Sequence, residues 1–176
     1  MASMAVYRVR QGLRAMFAFP HTIDYAQASE YLTQPMLTLF KTLRRGEQIH
    51  SLHVLNGVLA QADHTPRALA IAALMHDIGK TRYPLRLWQK TLTVLIRKFF
   101  PRTFERLSAG DPRAFLERPF VVYVHHPAWG AELLEKLGAP ADAVWLTAHH
   151  ADPIDVWREH PLFPLLARLH AADESN

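Results

Sequence analysis

The sequence predicts an all-α fold, and three features of the chain lead to that prediction. Apolar residues recur at intervals of three and four along most of the chain, which is the spacing of helices that pack one side against a core. Alanine, leucine, arginine and glutamate, which are good helix formers, are abundant. No long stretch alternates apolar and polar residues with the period of two that indicates a strand. At 176 residues, 49% of them hydrophobic, the chain is expected to form a single helical domain.

The first 44 residues are predicted to form a helical extension that packs on the main domain, residues 45–176. The basic leader, residues 1–20, has an apolar run too short to span a membrane and no convincing cleavage site. The cytoplasm is therefore the expected location. The first helix should begin near Asp24, whose carboxylate can cap free N–H groups, and Pro35 should kink it.

Two more helices are predicted in the first half of the chain, at about residues 47–62 and 66–78. Pro66 suits the first turn of the later helix because an N–H group there would have no partner, and Gly79 suits the position just past its end. A looser stretch around residues 110–119 contains glycine and proline. Three further helices should follow it, at about residues 127–137, 141–150 and 162–173.

Between these regions, residues 85–107 are predicted to form a basic amphipathic helix that Pro101 breaks or bends. Its apolar residues lie at helical spacing: Trp88, Leu92, Leu95, Ile96, Phe99 and Phe100. Its basic residues are Arg86, Lys90, Arg97, Lys98, Arg102 and Arg106. The apolar side is expected to pack in the core or to form a homodimer contact, and the basic side to be solvated. A surface that guides a nucleotide and a peripheral membrane surface are alternatives, and nucleic acid is not expected as a partner.

The composition limits the kinds of site that the chain can form. There is no cysteine, so a metal could be held only by histidine nitrogen and carboxylate oxygen atoms. Such ligands suit Fe, Mn, Co, Ni or Zn better than Mg. The formal net charge of +4 is compatible with an anionic substrate.

The run ALMHDIGK, residues 73–80, is the first indication of a metal centre. His76 and Asp77 end a helix whose preceding residues are apolar and should be buried. Burying an aspartate is costly unless a cation or hydrogen bonds compensate for its charge, and a metal ion would do so. Lys80 follows just beyond the helix, where a cation could reach a phosphate next to the metal. Alternatively, a cationic histidine can be stabilised at a helix C-terminus without any metal.

Further potential ligands occur at helix positions that should face the core: His50, His126, His149, His150 and Asp173. One such residue would be ordinary, but so many indicate a shared cause. Because adjacent helical residues point in different directions, one of the two histidines at positions 149 and 150 could instead be a surface or capping residue. Four other histidines are expected in the tail, in loops or on helix surfaces: His21, His64, His160 and His170.

Together these blocks resemble the HD-domain superfamily. QIHSLHV, ALMHDIGK, HHPAWGAELL, LTAHH and ARLHAADES are similar to successive blocks of its HDIG and HD-GYP-like branches. The resemblance implies an HD-domain helical bundle that uses one or two divalent metal ions to hydrolyse a phosphoester or phosphoanhydride. Asp77 would then bridge two metals. The ligands that the resemblance implies are His50, His76, Asp77, His126, His149, His150 and Asp173.

The chain also departs from the family pattern. It has no Gly-Tyr-Pro tripeptide, and HHADPIDVW stands where the cyclic di-GMP phosphodiesterases continue the histidine pair with glutamate. Hydrolysis of cyclic di-GMP is therefore not expected. A glutamate that some relatives use for a third metal, one turn before the first histidine, is replaced by Gly46, so a third metal is not expected either.

The resemblance also implies roles in catalysis. A metal-activated water would attack phosphorus, with Asp77 orienting it and Lys80 binding the substrate and stabilising charge on the phosphoryl oxygens. His53 is expected near the substrate, in a shell behind the ligands. The substrate would be a small phosphorylated molecule, with a nucleotide as the favoured class. Alternatives are an HD-type di-iron oxygenase, which activates dioxygen with the same ligands, and a catalytically silent nucleotide or metal sensor.

Overall fold

The computed structural model describes residues 22–175, and over these residues the predicted all-α fold is confirmed, with no strand. The predicted leader, residues 1–20, lies outside the described residues. Two short 3-10 helices span Ile78–Arg82 and Ile154–Trp157. The α-helices are α1 Tyr25–Tyr31, α2 Gln34–Phe40, α3 Arg45–Ala60, α4 Arg67–Met75, α5 Leu87–Phe99, α6 Pro101–Ser108, α7 Arg118–Lys136, α8 Ala141–His149 and α9 Phe163–Glu174.

The region predicted as one kinked helix is two short helices, α1 and α2. The carboxylate of Asp24 accepts a hydrogen bond from the backbone N–H of Gln27 at 2.9 Å, so the predicted N-cap is present. Leu32 is extended and ends α1, and Pro35 lies in the first turn of α2. A proline has no N–H to donate to the preceding turn and its ring collides with that turn, so the helix breaks here instead of bending.

Helix α4 is the centre of the molecule. Every residue from Leu69 to Met75 is buried, because apolar side chains surround the helix instead of forming a stripe along one side. Helices α1, α3, α8 and α9 contact it. Side chains of α1 and α2 belong to the same hydrophobic core as α4. The division of the chain at residue 44 stays a prediction.

The end of α4 is held against α7 by a close backbone contact. Helix α4 ends at Met75, earlier than expected, and Gly79 lies within the following 3-10 helix. A Cβ atom at Gly79 would overlap the carbonyl oxygen of His126 and approach the backbone nitrogen of Gly130 to 2.7 Å. Glycine is therefore required by this close approach, which brings Asp77 and His126 to the same end of the bundle.

Helix α7 begins nine residues before the predicted start at Pro127, which lies inside the helix. The predicted boundary was wrong because a side chain compensates for the missing N–H of the proline. Nδ1 of His126 lies 3.0 Å from the carbonyl oxygens of both Val122 and Tyr123, and a carbonyl can only accept. Pro127 has no N–H to donate to the carbonyl of Tyr123, four residues earlier. That carbonyl accepts a hydrogen bond from the His126 imidazole instead, and this bond orients the ring.

The basic segment forms two helices, α5 and α6, separated at Phe100 as Pro101 predicted. Its apolar side does not pack in the core, which corrects that interpretation. Trp88 is 46% exposed, Leu95 48% and Phe99 62%. No helix among the described residues is long and apolar enough to cross a lipid bilayer.

Candidate metal centre

Six of the predicted ligands lie close together at one end of the bundle. They belong to, or directly follow, five different helices. Helix α3 contributes His50, the end of α4 contributes His76 and Asp77, and the remaining three come from α7, α8 and α9. They are His50, His76, Asp77, His126, His150 and Asp173. These residues are separated by up to 123 positions in the sequence, so only the packing of the helices brings them together.

Asp77 belongs to two groups of potential ligand atoms. In the first group, ligand atoms of His50, His76 and Asp77 lie within 4.8 Å of one another. Asp173 adjoins this group, with its Oδ1 2.9 Å from Nε2 of His50 and 3.7 Å from Nε2 of His76.

The second group consists of Asp77, His126 and His150. Oδ1 of Asp77 lies 3.4 Å from Nε2 of His126 and 3.8 Å from Nε2 of His150, and the two Nε2 atoms are 3.3 Å apart. The other carboxylate oxygen of Asp77, Oδ2, lies 3.7 Å from Nε2 of His76. Each oxygen of one carboxylate therefore faces a different group, which is the arrangement that a bridging ligand requires.

Three imidazole rings are oriented by hydrogen bonds to the backbone. Nδ1 of His76 donates to the carbonyl of Ala73 at 3.0 Å, and Nδ1 of His150 donates to the carbonyl of Thr147 at 2.8 Å. His126 is oriented in the same way. With the hydrogen on Nδ1, Nε2 of a neutral ring carries a lone pair, and backbone bonds of this kind commonly fix the tautomer of metal-binding histidines.

Burial favours the neutral form of two of these rings, those of His76 and His150. Burial lowers the pKa of His76 despite the nearby carboxylates of Asp77 and Asp173. Burial, reinforced by the neighbouring His76 and His126, lowers the pKa of His150 well below its ordinary range. Nε2 of His76 is buried and has no hydrogen-bond partner. Because a buried, unpaired polar atom is costly, the donor set fits a cation held between the imidazoles and the carboxylates.

The acidic groups of the cluster remain ionised. Burial would raise the pKa of Asp77, but the ammonium of Lys80, whose Nζ is 2.6 Å from Oδ2, and the nearby histidines hold it well below its ordinary range. Burial would likewise raise the pKa of Asp173, but the hydrogen bond from His50 and the charge of His76 lower it to about 2. Partial burial would lower the pKa of Lys80, yet Asp77 raises it overall. Two carboxylates and one ammonium therefore face the site at neutral pH.

Two predicted site residues lie elsewhere. Nδ1 of His149 is 2.7 Å from Oδ2 of Asp152, and its ring packs against Trp145 and Trp157. Successive helical residues point about 100° apart, so His150 faces the cluster while His149 does not. His53 is exposed and lines a separate cavity with Asp24, which precedes α1, and with residues of α1 and α3.

Two adjoining cavities open onto the cluster. One, of about 320 Å³, is lined by Tyr123, His170 and Glu174 and by every residue of the cluster except the buried His76. His170 was expected on a helix surface, but its Nε2 is buried here without a partner. Its spacing from Asp173, one turn further along α9, was the signal in the sequence that could have identified it.

The other cavity, of about 440 Å³, shares Asp77 and Lys80 and adds Arg44, Glu47 and Lys90. Gly46 stands where some relatives have a glutamate for a third metal, and the next residue, Glu47, is itself acidic. Positions three and four before His50 both lie on its side of the helix. The Glu47 carboxylate contacts Nζ of Lys90 at 2.5 Å and caps the backbone N–H of Arg44 at 3.1 Å.

We expect removal of the His150 imidazole to weaken metal binding, whereas removal of its neighbour should not. His150→Ala should lower metal affinity by at least the roughly 10–100-fold that loss of an outer-shell partner costs. His149→Ala should stay within a few-fold of the parent, because its ring lies outside both groups. Calorimetric titration of the metal-free proteins with Mn²⁺ or Zn²⁺ measures both. Equal losses in the two variants would contradict the assignment.

The metal-free protein should lose stability as the pH falls below 6.5. His76 and His150 have folded-state pKa values below their ordinary 6.5, so the unfolded chain takes up protons that the folded chain does not. Each contributes up to about 1.4 kcal/mol per pH unit of lost stability below that value. Urea unfolding between pH 8 and pH 5 measures the trend. His150→Gln should flatten it and His64→Gln should not, and a flat profile for the parent protein would disprove the prediction.

Comparison with known proteins gives one family. The family model described as HD domain matches residues 48–175, a range that contains every residue of the cluster. Comparisons with curated proteins and with solved structures give no match. The narrower resemblance to the HDIG and HD-GYP-like branches stays a prediction.

Proposed function

The chain belongs to the HD-domain family, and we propose that it is a metal-dependent phosphohydrolase whose substrate is a small phosphorylated molecule of the nucleotide class. HD domains are in general metal-dependent hydrolases. The observation that carries the proposal is the convergence of imidazole nitrogens, on rings oriented by the backbone, around the two oxygens of Asp77. Such a cluster has little reason to be buried unless a cation occupies it.

The two groups differ in the residues that would hold each metal. His50, His76 and Asp173 would hold one divalent ion, His126 and His150 would hold the other, and Asp77 would bind both. Histidine and carboxylate ligands without cysteine fit Fe, Mn, Co, Ni or Zn. When bound, such ions supply Lewis acidity and a water molecule of lowered pKa.

Lys80 is the cation that the protein itself supplies next to this centre. Its side chain is 26% exposed, so the ammonium is held by Asp77 yet remains accessible from both cavities. From this position it can donate to non-bridging oxygens of a phosphoryl group and stabilise the negative charge that develops on them. Donors fixed in advance around such charge are a major source of catalysis.

The shape and charge of the larger cavity support a nucleotide as the substrate. Arg44, Lys80 and Lys90 line it against two carboxylates, Asp77 and Glu47, which contact the two lysines. The remaining excess of positive charge suits a phosphorylated ligand. Leu85 and Leu87 add an apolar wall, against which a base or another flat ring could pack. A mixture of cationic and apolar lining is what a phosphorylated ring compound requires.

An assay of the reconstituted protein tests the proposal. The metal-free protein is loaded separately with Mn²⁺, Fe²⁺, Co²⁺, Ni²⁺ or Zn²⁺. Phosphate release is then followed from nucleoside mono-, di- and triphosphates, cyclic nucleotides and simple phosphoesters, with and without oxygen. We expect metal-dependent and oxygen-independent turnover of at least one nucleotide, and wild-type rates for His149→Ala. Oxygen-dependent turnover with iron would identify an oxygenase, and bound metal without any turnover would identify a sensor; either result would refute the proposal.

A further inference from the structure

Helix α5 buries its polar side and exposes its apolar side, which is the opposite of an ordinary surface helix. The residues that it buries are polar, Gln89 and Thr93, while its apolar stripe faces outward. Trp88, Leu95 and Phe99 of that stripe are 46%, 48% and 62% exposed. An amphipathic helix normally buries its apolar side, since that burial is the main source of its stability. The orientation of α5 therefore leaves apolar surface in contact with water.

The exposed apolar surface continues into neighbouring segments. The Trp88 ring packs against Phe115, with centroids 5.8 Å apart, which joins α5 to the loop before α7. Large exposed side chains in this region are Leu87, Trp88, Leu92, Val94, Leu95, Phe99, Phe100, Phe115 and Leu116. Large contiguous apolar patches are uncommon on monomeric proteins, and they often mark interaction surfaces.

The same region is strongly basic. Between positions 86 and 106 there is one acidic residue, Glu105, against six basic ones: Arg86, Lys90, Arg97, Lys98, Arg102 and Arg106. Arg102 and Arg106 line a cavity of about 390 Å³ on α6. Within residues 22–175 neither of them pairs with a carboxylate. Lys90 is paired with Glu47, whereas the charges of Arg102 and Arg106 are left uncompensated on this surface.

This charge argues against a second copy of the chain as the occupant. In a two-fold symmetric dimer the same patch lies on both subunits, so the arginines and lysines of one would face those of the other. Bringing like charges together opposes association. An occupant that combines an apolar interior with a negatively charged surface satisfies both features of the patch.

We propose that the surface formed by α5, α6 and the loop at Phe115 binds an anionic lipid membrane peripherally. Trp88, Phe99 and their apolar neighbours would enter the boundary between headgroups and acyl chains, and the basic side chains would contact headgroup phosphates. This combination of aromatic and cationic residues on one helix is characteristic of interfacial membrane binding. The proposal does not depend on the hydrolase activity, because the residues that form this surface lie outside the metal cluster.

Vesicle flotation of the full chain tests the proposal. The vesicles contain phosphatidylcholine alone or phosphatidylcholine with phosphatidylglycerol. We expect binding to the anionic vesicles only, weakening as salt is added. Leu95→Glu combined with Phe99→Glu should abolish it, and Arg102→Gln combined with Arg106→Gln should weaken it on the order of tenfold. Val156→Glu is the matched control, since Val156 is 65% exposed but lies outside the surface.

Several results would overturn the proposal. Binding that Leu95→Glu with Phe99→Glu leaves intact would show that the apolar stripe is not involved. A dimer, seen by light scattering, that the same variant dissociates would make a second copy the occupant. Preferential binding of an oligonucleotide, lost only in the arginine variant, would indicate nucleic acid. Circular dichroism checks that each variant is folded. If the glutamate variant does not fold, the arginine variant tests the proposal by itself, and unchanged binding by it would overturn the proposal.

Discussion

Replacing Asp77 by alanine is expected to remove both metal ions and to lower kcat/KM by at least about 10³-fold. The reason is that this carboxylate alone belongs to both groups of ligand atoms, with Oδ1 facing His126 and His150 and Oδ2 facing His76. Elemental analysis of the purified variant and steady-state kinetics on the best substrate measure the two effects.

Two further variants make the Asp77 result interpretable. Asp77→Asn keeps the shape of the side chain but removes its charge, so metal content should fall in it as well. Asp152→Ala removes a carboxylate that contacts His149 and Trp157 outside the cluster, so metal content and activity should be retained. Loss of a single metal ion with normal occupancy of the other would contradict the bridging role of Asp77.

Replacing Lys80 by methionine should lower kcat by about 10²–10³-fold while leaving both metal ions bound. Lys80 is not a ligand, and its ammonium lies beside Asp77 where a phosphoryl group would be accommodated. Removing the ammonium also removes a positive charge that competes with the metals for Asp77. Metal affinity should therefore rise or stay constant while catalysis falls.

The kinetic pattern distinguishes a catalytic role of Lys80 from a structural one. If the ammonium stabilises charge that develops during the reaction, kcat should fall more than KM rises, and Lys80→Arg should restore part of the rate. If Lys80 only neutralises buried Asp77, the metal-free variant should lose thermal stability while kcat of the metal-loaded variant stays unchanged. Unchanged kcat in a folded, metal-loaded Lys80→Met protein would exclude it from catalysis.

The positions of several helices follow from sequence periodicity alone. Helices α3, α4, α8 and α9 were predicted within a few residues because each combines helical spacing of apolar residues with proline or glycine near an end. The start of α7 could not be predicted in this way. Whether a proline ends a helix depends on whether another donor satisfies the freed carbonyl, and here His126 supplies it.

Which side of a helix faces the protein is a tertiary property that local spacing does not contain. The pattern of α5 showed correctly that it is amphipathic, and it suggested burial of the aromatic stripe. In the structure Gln89 and Thr93 face inward instead. The packing partners of α5 include α7, which begins 19 positions after the end of α5 in the sequence.

The candidate site was predictable as a set of residues but not as a geometry. An aspartate and a histidine at the end of a buried apolar helix indicated a metal, and the structure places His50, His126 and Asp173 beside them. The choice between His149 and His150 was not available from the sequence, because both end the same helix. The buried position of His170 likewise depends on how α9 packs.

Anomalous X-ray diffraction from crystals of the metal-loaded protein tests the central claim most directly. Data recorded above and below the absorption edge of the bound metal locate each ion without reference to activity. We predict two peaks on either side of Asp77, one contacted by His50, His76 and Asp173 and the other by His126 and His150. Peaks that lie away from this carboxylate, for example at His149 and Asp152, or no peak at any edge, would contradict the account.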